Sequence, residues 1–86
     1  MKANGSAKYL ERKNRAVVVG QVFRDARLNR GLSQIQLGIE AEIDRTYPSL
    51  LERGLRMPTV DVFLRIAAVV RVQPAELMQR IVDGLE

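Results

Sequence analysis

The chain has 86 residues, a net charge of +4 and 47% hydrophobic residues, a composition that suits one small domain with a single apolar core. It contains no cysteine and no histidine, which excludes disulfides and thiolate or imidazole metal sites and removes the commonest general base. No apolar run approaches the ~18 residues that a membrane span requires, and the first 15 residues lack the apolar centre of a secretory signal. We therefore expect a soluble, cytoplasmic protein.

The positive charge is concentrated near the N-terminus. Residues 1–30 carry eight basic and two acidic side chains, a balance of +6, whereas residues 31–86 carry six basic and eight acidic ones, a balance of −2. Contact with a polyanion and a solvated, self-repelling tail explain this charge equally well. Residues 8–15 fit a short helix, an extension of the next helix or a mobile arm. We accordingly divide the chain into a basic arm, residues 1–15, partly disordered or helical, and a helical domain, residues 16–86.

A first helix is predicted over about residues 16–29. Val19, Phe23 and Ala26 recur there at spacings of four and three, which is the period of a buried helix face. Gly20 lies inside this helix and is unfavourable in a helix interior. Such a glycine is tolerable where another backbone packs closely against it.

Residues 31–54, GLSQIQLGIEAEIDRTYPSLLERG, have the pattern of two helices joined by a tight turn. Ser33 and Gln36 form a capping box that begins helix 2, Asp44 is predicted to cap helix 3, and Gly54 ends it. This is the helix-turn-helix layout, in which the second helix, about residues 44–53, enters the major groove of DNA. The helical period turns Pro48 and Leu51 inward and leaves four side chains outward: Arg45, Thr46, Ser49 and Leu50.

Two further helices are predicted after a loop at residues 55–58. Thr59 caps helix 4, whose predicted inner face is Val60, Phe63, Ile66, Ala67 and Val70. Pro74 begins helix 5, about residues 74–85, in which Leu77 and Met78 complete the core. The apolar stripe continues beyond them with little chain left to cover it, which favours a two-fold homodimer interface. Its predicted residues are Ile81, Val82 and Leu85, and the alternative is that helix 5 folds back on its own domain.

Four segments carry a family resemblance: RDARLNRGLSQ, IDRTYPSLLERG, LRMPTVD and VQPAELM, which lie in this order within about residues 19–78. Their order and spacing resemble the λ-repressor-like, or XRE-type, helix-turn-helix family of DNA-binding transcriptional regulators. The resemblance implies an all-α, five-helix λ-repressor-like bundle, here with a basic N-terminal arm. This agrees with the five helices that the residues predict by themselves.

The resemblance also implies which residues contact DNA. The base-contacting side chains would be Arg45, Thr46 and Leu50, with Arg45 placed to bind a guanine through two hydrogen bonds. The phosphate-contacting side chains would be Gln34, Tyr47, Ser49, Arg53 and Arg56. An ion pair between Arg27 and Glu52 would join helix 1 to helix 3 and steady the motif without reading sequence.

The chain departs from the family pattern at three positions. Glu42 and Arg71 occupy positions that are usually glycine, so each is expected to adopt a left-handed or distorted conformation. Pro48 lies in the first turn of helix 3, where it removes a backbone hydrogen bond and is expected to distort that turn.

The favoured function is a sequence-specific DNA-binding transcriptional regulator, a repressor or autoregulator that binds its operator as a homodimer. We expect it to act without a metal, a cofactor, a small-molecule ligand or enzymatic activity, because the residues offer no nucleophile–base pair. The alternative is a protein-interaction adaptor or antitoxin-type module on the same fold. The acidic residues Glu42 and Asp44 motivate this alternative, since they repel phosphates beside the DNA-binding face.

Overall fold

The computed structural model describes residues 11–86, apart from the side chain of Lys13, and this part of the chain folds into five α-helices without a strand. The helices are α1 (Arg12–Asn29), α2 (Gln34–Ala41), α3 (Tyr47–Glu52), α4 (Val60–Val70) and α5 (Pro74–Leu85). The predicted all-α, five-helix class is confirmed. Residues 12–15 continue α1, whereas residues 1–10 of the predicted arm lie outside the described residues. None of the five helices is long and apolar enough to cross a membrane.

The core lies where α1 packs against α3, α4 and α5. Val19, Phe23 and Ala26 of α1 are buried in it, as their spacing predicts. The ring of Phe23 meets that of Phe63 at a centroid distance of 5.9 Å and an interplanar angle of 42°, a tilted arrangement that aromatic pairs favour. The helix-turn-helix unit is thus built on a packed apolar base.

Gly20 allows α1 to cross the end of α3 at very short range. A Cβ atom at this position would lie 2.9 Å from the carbonyl oxygen of Glu52 and closer still to that of Leu51. The condition under which a glycine is tolerable here, a closely packed backbone, is therefore met, and the contact fixes α3 directly against α1.

The predicted caps at the starts of α2 and α4 are present. Ser33 Oγ accepts from the backbone N–H of Gln36 at 3.0 Å, and the Gln36 side chain accepts from the backbone N–H of Ser33 at 2.8 Å. Thr59 Oγ1 accepts from the N–H of Val62 at 3.1 Å at the start of α4. Gly31 and Gly54, with φ of 74° and 73°, follow α1 and α3. These local bonds set the lengths of the connections around the site.

The start of α3 differs from the prediction. The helix begins at Tyr47 and not at about residue 44, and its N-cap residue is Thr46 and not the predicted Asp44. The carbonyl of Asp44 accepts from the N–H of Tyr47 at 2.9 Å. It cannot accept from Pro48, which has no N–H, so the first turn is tighter than an α-turn. The distortion expected from this proline is therefore present.

The predicted faces of α4 and α5 need two corrections. Val60 is 76% exposed and Met78 is 47% exposed, so neither completes the core. Ile81 and Leu85 are 5% and 8% exposed, so they are buried within the chain itself and do not form the exposed stripe that the sequence predicted. The reason is that α5 folds back across α1. The fit is tight enough that a Cβ at Gly84 would lie 2.7 Å from Val18 Cγ1.

Candidate nucleic-acid interface

The turn between α2 and α3 passes through a left-handed residue. Glu42 has φ 57° and ψ 46°, as expected for a residue at a glycine position. Its N–H donates to the carbonyl of Ile39 at 3.2 Å, and the N–H of Ile43 donates to that of Gly38 at 3.0 Å. A left-handed non-glycine residue costs roughly 1–2 kcal/mol. The turn is therefore well bonded but strained. Arg71, which follows α4, is left-handed in the same way, with φ 61°.

Gly38 sets the distance between α2 and the residues that are predicted to read DNA. A Cβ at Gly38 would lie 3.2 Å from the Cα of Arg45, close enough that one of the two backbones would have to move. Pro48 and Leu51 are buried beneath the same segment, as predicted. Residues 45–52 are thus held from below by the core and from one side by the backbone of α2.

Arg45 and Thr46 are exposed at the start of this segment. Asp44 lies beside them, and its Oδ1 accepts from the Thr46 N–H at 2.8 Å and from Thr46 Oγ1 at 2.6 Å. These two bonds lower the pKa of the Asp44 carboxyl below its ordinary value. At neutral pH a fixed negative charge therefore lies next to the two side chains that are predicted to contact bases.

The remaining predicted contacts differ in how available their side chains are. Leu50 and Ser49 are half-buried on α3, while Arg53 and Arg56 are exposed beyond its end. Tyr47 is half-buried, and its hydroxyl lies 3.4 Å from the carbonyl oxygen of Met57, to which it can donate. Arg53 and Arg56 therefore present positive charge at the protein surface, although Arg53 Nε also donates to the Ser49 carbonyl oxygen at 3.4 Å. Tyr47 is partly committed to the fold.

Arg27, Glu52 and Gln34 form a hydrogen-bond network, in which Arg27 and the Glu52 side chain are buried and Gln34 is half-buried. The Arg27 guanidinium donates to the two Glu52 carboxylate oxygens at 2.6 and 2.9 Å, and to the Leu32 carbonyl at 2.8 Å. The Glu52 side chain is only 3% exposed, and its hydrogen bond to Arg27 is the main cause of a raised pKa at Arg27. The ion pair implied by the family resemblance is thus present, and it joins α1 to α3.

Gln34 takes part in this network, which the sequence did not indicate. Its Nε2 donates to Glu52 Oε1 at 3.0 Å, so one amide hydrogen of this predicted phosphate contact is already used. A second unpredicted bond runs from Arg65 Nη1 to the carbonyl oxygen of Glu42 at 3.0 Å. Both bonds join residues far apart in sequence, so no local sequence pattern predicts them. The bond between Asp44 and Thr46 could have been predicted, because aspartate commonly accepts from the backbone two residues later in a turn.

Two helices joined by a tight turn, with an exposed arginine and threonine at the start of the second, define a helix-turn-helix DNA-binding fold. The family model described as "Helix-turn-helix domain" matches residues 18–79, and the chain belongs to this family. The relative "Control protein C.BamHI" from Bacillus amyloliquefaciens is 36% identical over 66 residues, which cover 76% of this chain and 82% of the relative.

Solved structures agree with this assignment. The restriction-modification controller protein C.AhdI from Aeromonas hydrophila is 35% identical, with a TM-score of 0.69, over 72% of this chain and 94% of that chain. The clp gene regulator ClgR from Corynebacterium glutamicum has a TM-score of 0.77 over 83% of this chain and 76% of its own, and at 17% identity it supports the fold alone. The XRE-type resemblance is confirmed, and the class is that of DNA-binding transcriptional regulators.

Proposed function

We propose that this chain is a controller-type transcriptional regulator that binds a near-palindromic DNA operator as a two-fold dimer in the cytoplasm. The observation that carries the proposal is the exposed pair Arg45 and Thr46 on a segment fixed by Gly38, Gly20 and the buried Arg27–Glu52 pair. A base-reading side chain discriminates only when its backbone is held in one place, so this rigid support suits sequence readout.

In the proposed complex, residues 45–52 lie in the major groove. Arg45, Thr46 and Leu50 would contact base edges. The phosphate contacts would be Gln34, Tyr47, Ser49, Arg53 and Arg56. Among these, the bond from Gln34 to Glu52 leaves the second amide hydrogen of Gln34 for a phosphate, beside the N-terminus of α2, which itself favours an anion. Arg53 and Arg56 add exposed positive charge.

The dimer contact is proposed at an apolar groove between α4 and α5, with a volume of about 560 Å³. Among the described residues that line it, Arg15 alone is charged. The predicted interface residues Ile81, Val82 and Leu85 lie in its wall, and Val60, Leu64 and Met78 expose apolar surface around it. We assign the groove to a second copy, because a two-fold contact seats the exposed residues of each copy against the groove of the other.

A specific observation also supports the alternative function, a protein-interaction adaptor or antitoxin-type module. Ile35 and Ile39 expose 59% and 67% of their surface on one face of α2. The Thr46 hydroxyl donates to Asp44, whose negative charge opposes an approaching phosphate. In this reading the exposed face of α2 binds a protein, and the DNA-binding face is vestigial.

Selection of bound duplexes from a random DNA pool, at low and at moderate salt, tests the proposal. We expect an enriched palindrome whose half-sites lie about 10 base pairs apart, the spacing that two recognition helices of a dimer require. Binding to it should fall steeply with salt, because phosphate contacts release counterions. Weak binding without sequence preference would reject the operator proposal and favour the adaptor.

A further inference from the structure

Arg65 bridges α4 and the turn of the helix-turn-helix unit. Its Nη1 donates to the carbonyl oxygen of Glu42 at 3.0 Å, and its Nε lies 3.0 Å from Asp61 Oδ2, one turn earlier on α4. The neighbouring residues Ile66 and Ala67 are 0% and 1% exposed. The arginine therefore projects from a helix that is anchored in the core, and Asp61 holds its guanidinium in place.

The carbonyl that Arg65 binds belongs to the left-handed residue of the turn. A glutamate is disfavoured at positive φ because of its Cβ atom, whereas glycine is not. The turn therefore tends to relax toward other backbone angles. Relaxation there moves the residues that follow, which begin with Ile43 and Asp44 and lead into Arg45. Gly38 restrains Arg45 from the α2 side, and Arg65 restrains the turn from the α4 side.

We propose that Arg65 is a positioning residue for DNA recognition: it holds the left-handed Glu42 in place and thereby sets where Arg45 and Thr46 meet the bases. The inference rests on the proposed DNA-binding function. Arg65 is not among the proposed DNA contacts. It stabilises the left-handed conformation at position 42, which a glycine there would adopt without help.

A double-mutant cycle with Glu42→Gly tests this role. Arg65→Ala is expected to weaken binding to the selected operator about tenfold. In the Glu42→Gly background the same change should weaken it only about twofold, since glycine holds the left-handed conformation without help. Equal losses in the two backgrounds would overturn the proposal.

Arg80→Ala is the matched control. Arg80 pairs with Glu76 in the same i,i+4 arrangement as Arg65 with Asp61, and the two arginine side chains are 42% and 44% exposed. Both variants remove one positive charge, so a larger effect of Arg65→Ala at an unchanged salt slope comes from the bond to the turn. The salt dependence of binding should stay the same in both. A salt slope lower by about 0.9 in Arg65→Ala alone would make Arg65 a phosphate contact instead.

Amide hydrogen exchange tests the same inference without DNA. Arg65→Ala should speed exchange of the Glu42 and Ile43 amides about tenfold, because their bonds close the turn. Arg80→Ala should exchange these amides at nearly the wild-type rate. The double variant Glu42→Gly, Arg65→Ala should exchange them at nearly the rate of Glu42→Gly. Unchanged exchange in Arg65→Ala overturns the inference even if the protein binds a specific operator. If no operator is found, the exchange rates still report whether Arg65 holds the turn, because this measurement needs no DNA.

Discussion

Arg45 and Thr46 are adjacent, yet their side chains are not equally ready to contact a base. The Thr46 hydroxyl already donates to Asp44 at 2.6 Å, so it reaches a base or a phosphate only by accepting a hydrogen bond or by leaving Asp44. The Arg45 guanidinium is exposed and has five donors in a fixed fork. We therefore expect Arg45 to supply most of the sequence discrimination.

Arg45→Ala should relax discrimination at one base pair of each half-site by ~1–3 kcal/mol, the value of a bidentate arginine–guanine contact. Competition binding against every single-base variant of the selected operator measures it. Arg53→Ala is the control, because it removes the same charge from the other end of α3. It should weaken binding to all sequences alike. A uniform loss in both variants would place Arg45 on the phosphates.

Asp44 gives the turn a pH dependence with a defined sign. Hydrogen bonds from Thr46 lower the pKa of its carboxyl in the folded protein relative to the unfolded chain. The contribution of these bonds to the free energy of unfolding is present above the unfolded pKa, and is lost as the pH falls through the lower, folded value. Urea denaturation of the wild type should therefore show stability falling in acid, below about pH 4.

Asp44→Asn and Thr46→Val identify the source of that acid sensitivity. The asparagine keeps an acceptor but does not titrate, so the fall in stability below about pH 4 should be shallower than in the wild type. The valine removes the first and largest cause of the lowered pKa, the hydroxyl bond, and should act in the same direction. An acid transition identical in all three proteins would mean that other carboxylates determine it.

At the scale of the elements, the crossing of α1 and α3 places the site. Gly20→Ala should lower the free energy of unfolding by ~1–3 kcal/mol, because the added methyl meets the fixed carbonyls at the end of α3. Alanine is the better helix former, so the intrinsic effect has the opposite sign. Urea denaturation measures the change.

Gly84→Ala is the control for Gly20→Ala. It adds the same methyl to a helix interior, where the nearest atom is Cγ1 of the Val18 side chain and not a backbone carbonyl. The Cγ1 of Val18 lies at the tip of a side chain and can move more readily than a backbone carbonyl, so the loss of stability should be smaller than at Gly20. Equal or higher stability of Gly20→Ala would mean that α1 and α3 lie further apart in solution.

At the scale of the whole molecule, the apolar groove between α4 and α5 determines whether two recognition segments act together. Leu64→Lys and Met78→Lys should each convert the proposed dimer to a monomer, because they put a charge on an interface of exposed apolar residues. Light scattering after gel filtration measures the mass. DNA binding should fall with it, since a monomer contacts a single half-site.

Ile39→Lys is the control for the dimer variants. Ile39 is 67% exposed and lies on α2, outside the groove. The substitution should leave the molecular mass of the dimer unchanged. The affinity for the operator should then also be unchanged. A wild-type protein that is monomeric at tens of micromolar, well above the concentrations at which specific dimers form, would reject the dimer itself.

The sequence alone determined the number of helices and the caps of α2 and α4, because a cap depends on neighbours within four residues. It did not determine the start of α3, whose N-cap residue is Thr46 and not Asp44. The capping box of Ser33 and Gln36 and the cap at Thr59 are local, and both are present.

The family resemblance implied a left-handed or distorted Glu42, and the residue is left-handed. The family resemblance also predicted the Arg27–Glu52 ion pair, which no local sequence pattern indicates. The DNA contacts themselves stay predictions.

Only the tertiary structure decided which apolar residues the chain covers. A helical period tells which side chains share a face, but not which helix crosses it or at what position. For that reason Val60 was wrongly assigned to the core, while Ile81 and Leu85 were expected to lack the cover that α1 provides. The bond from Arg65 to Glu42 has the same origin. Residues 23 positions apart come within hydrogen-bond distance only once α2 and α4 have packed on one core.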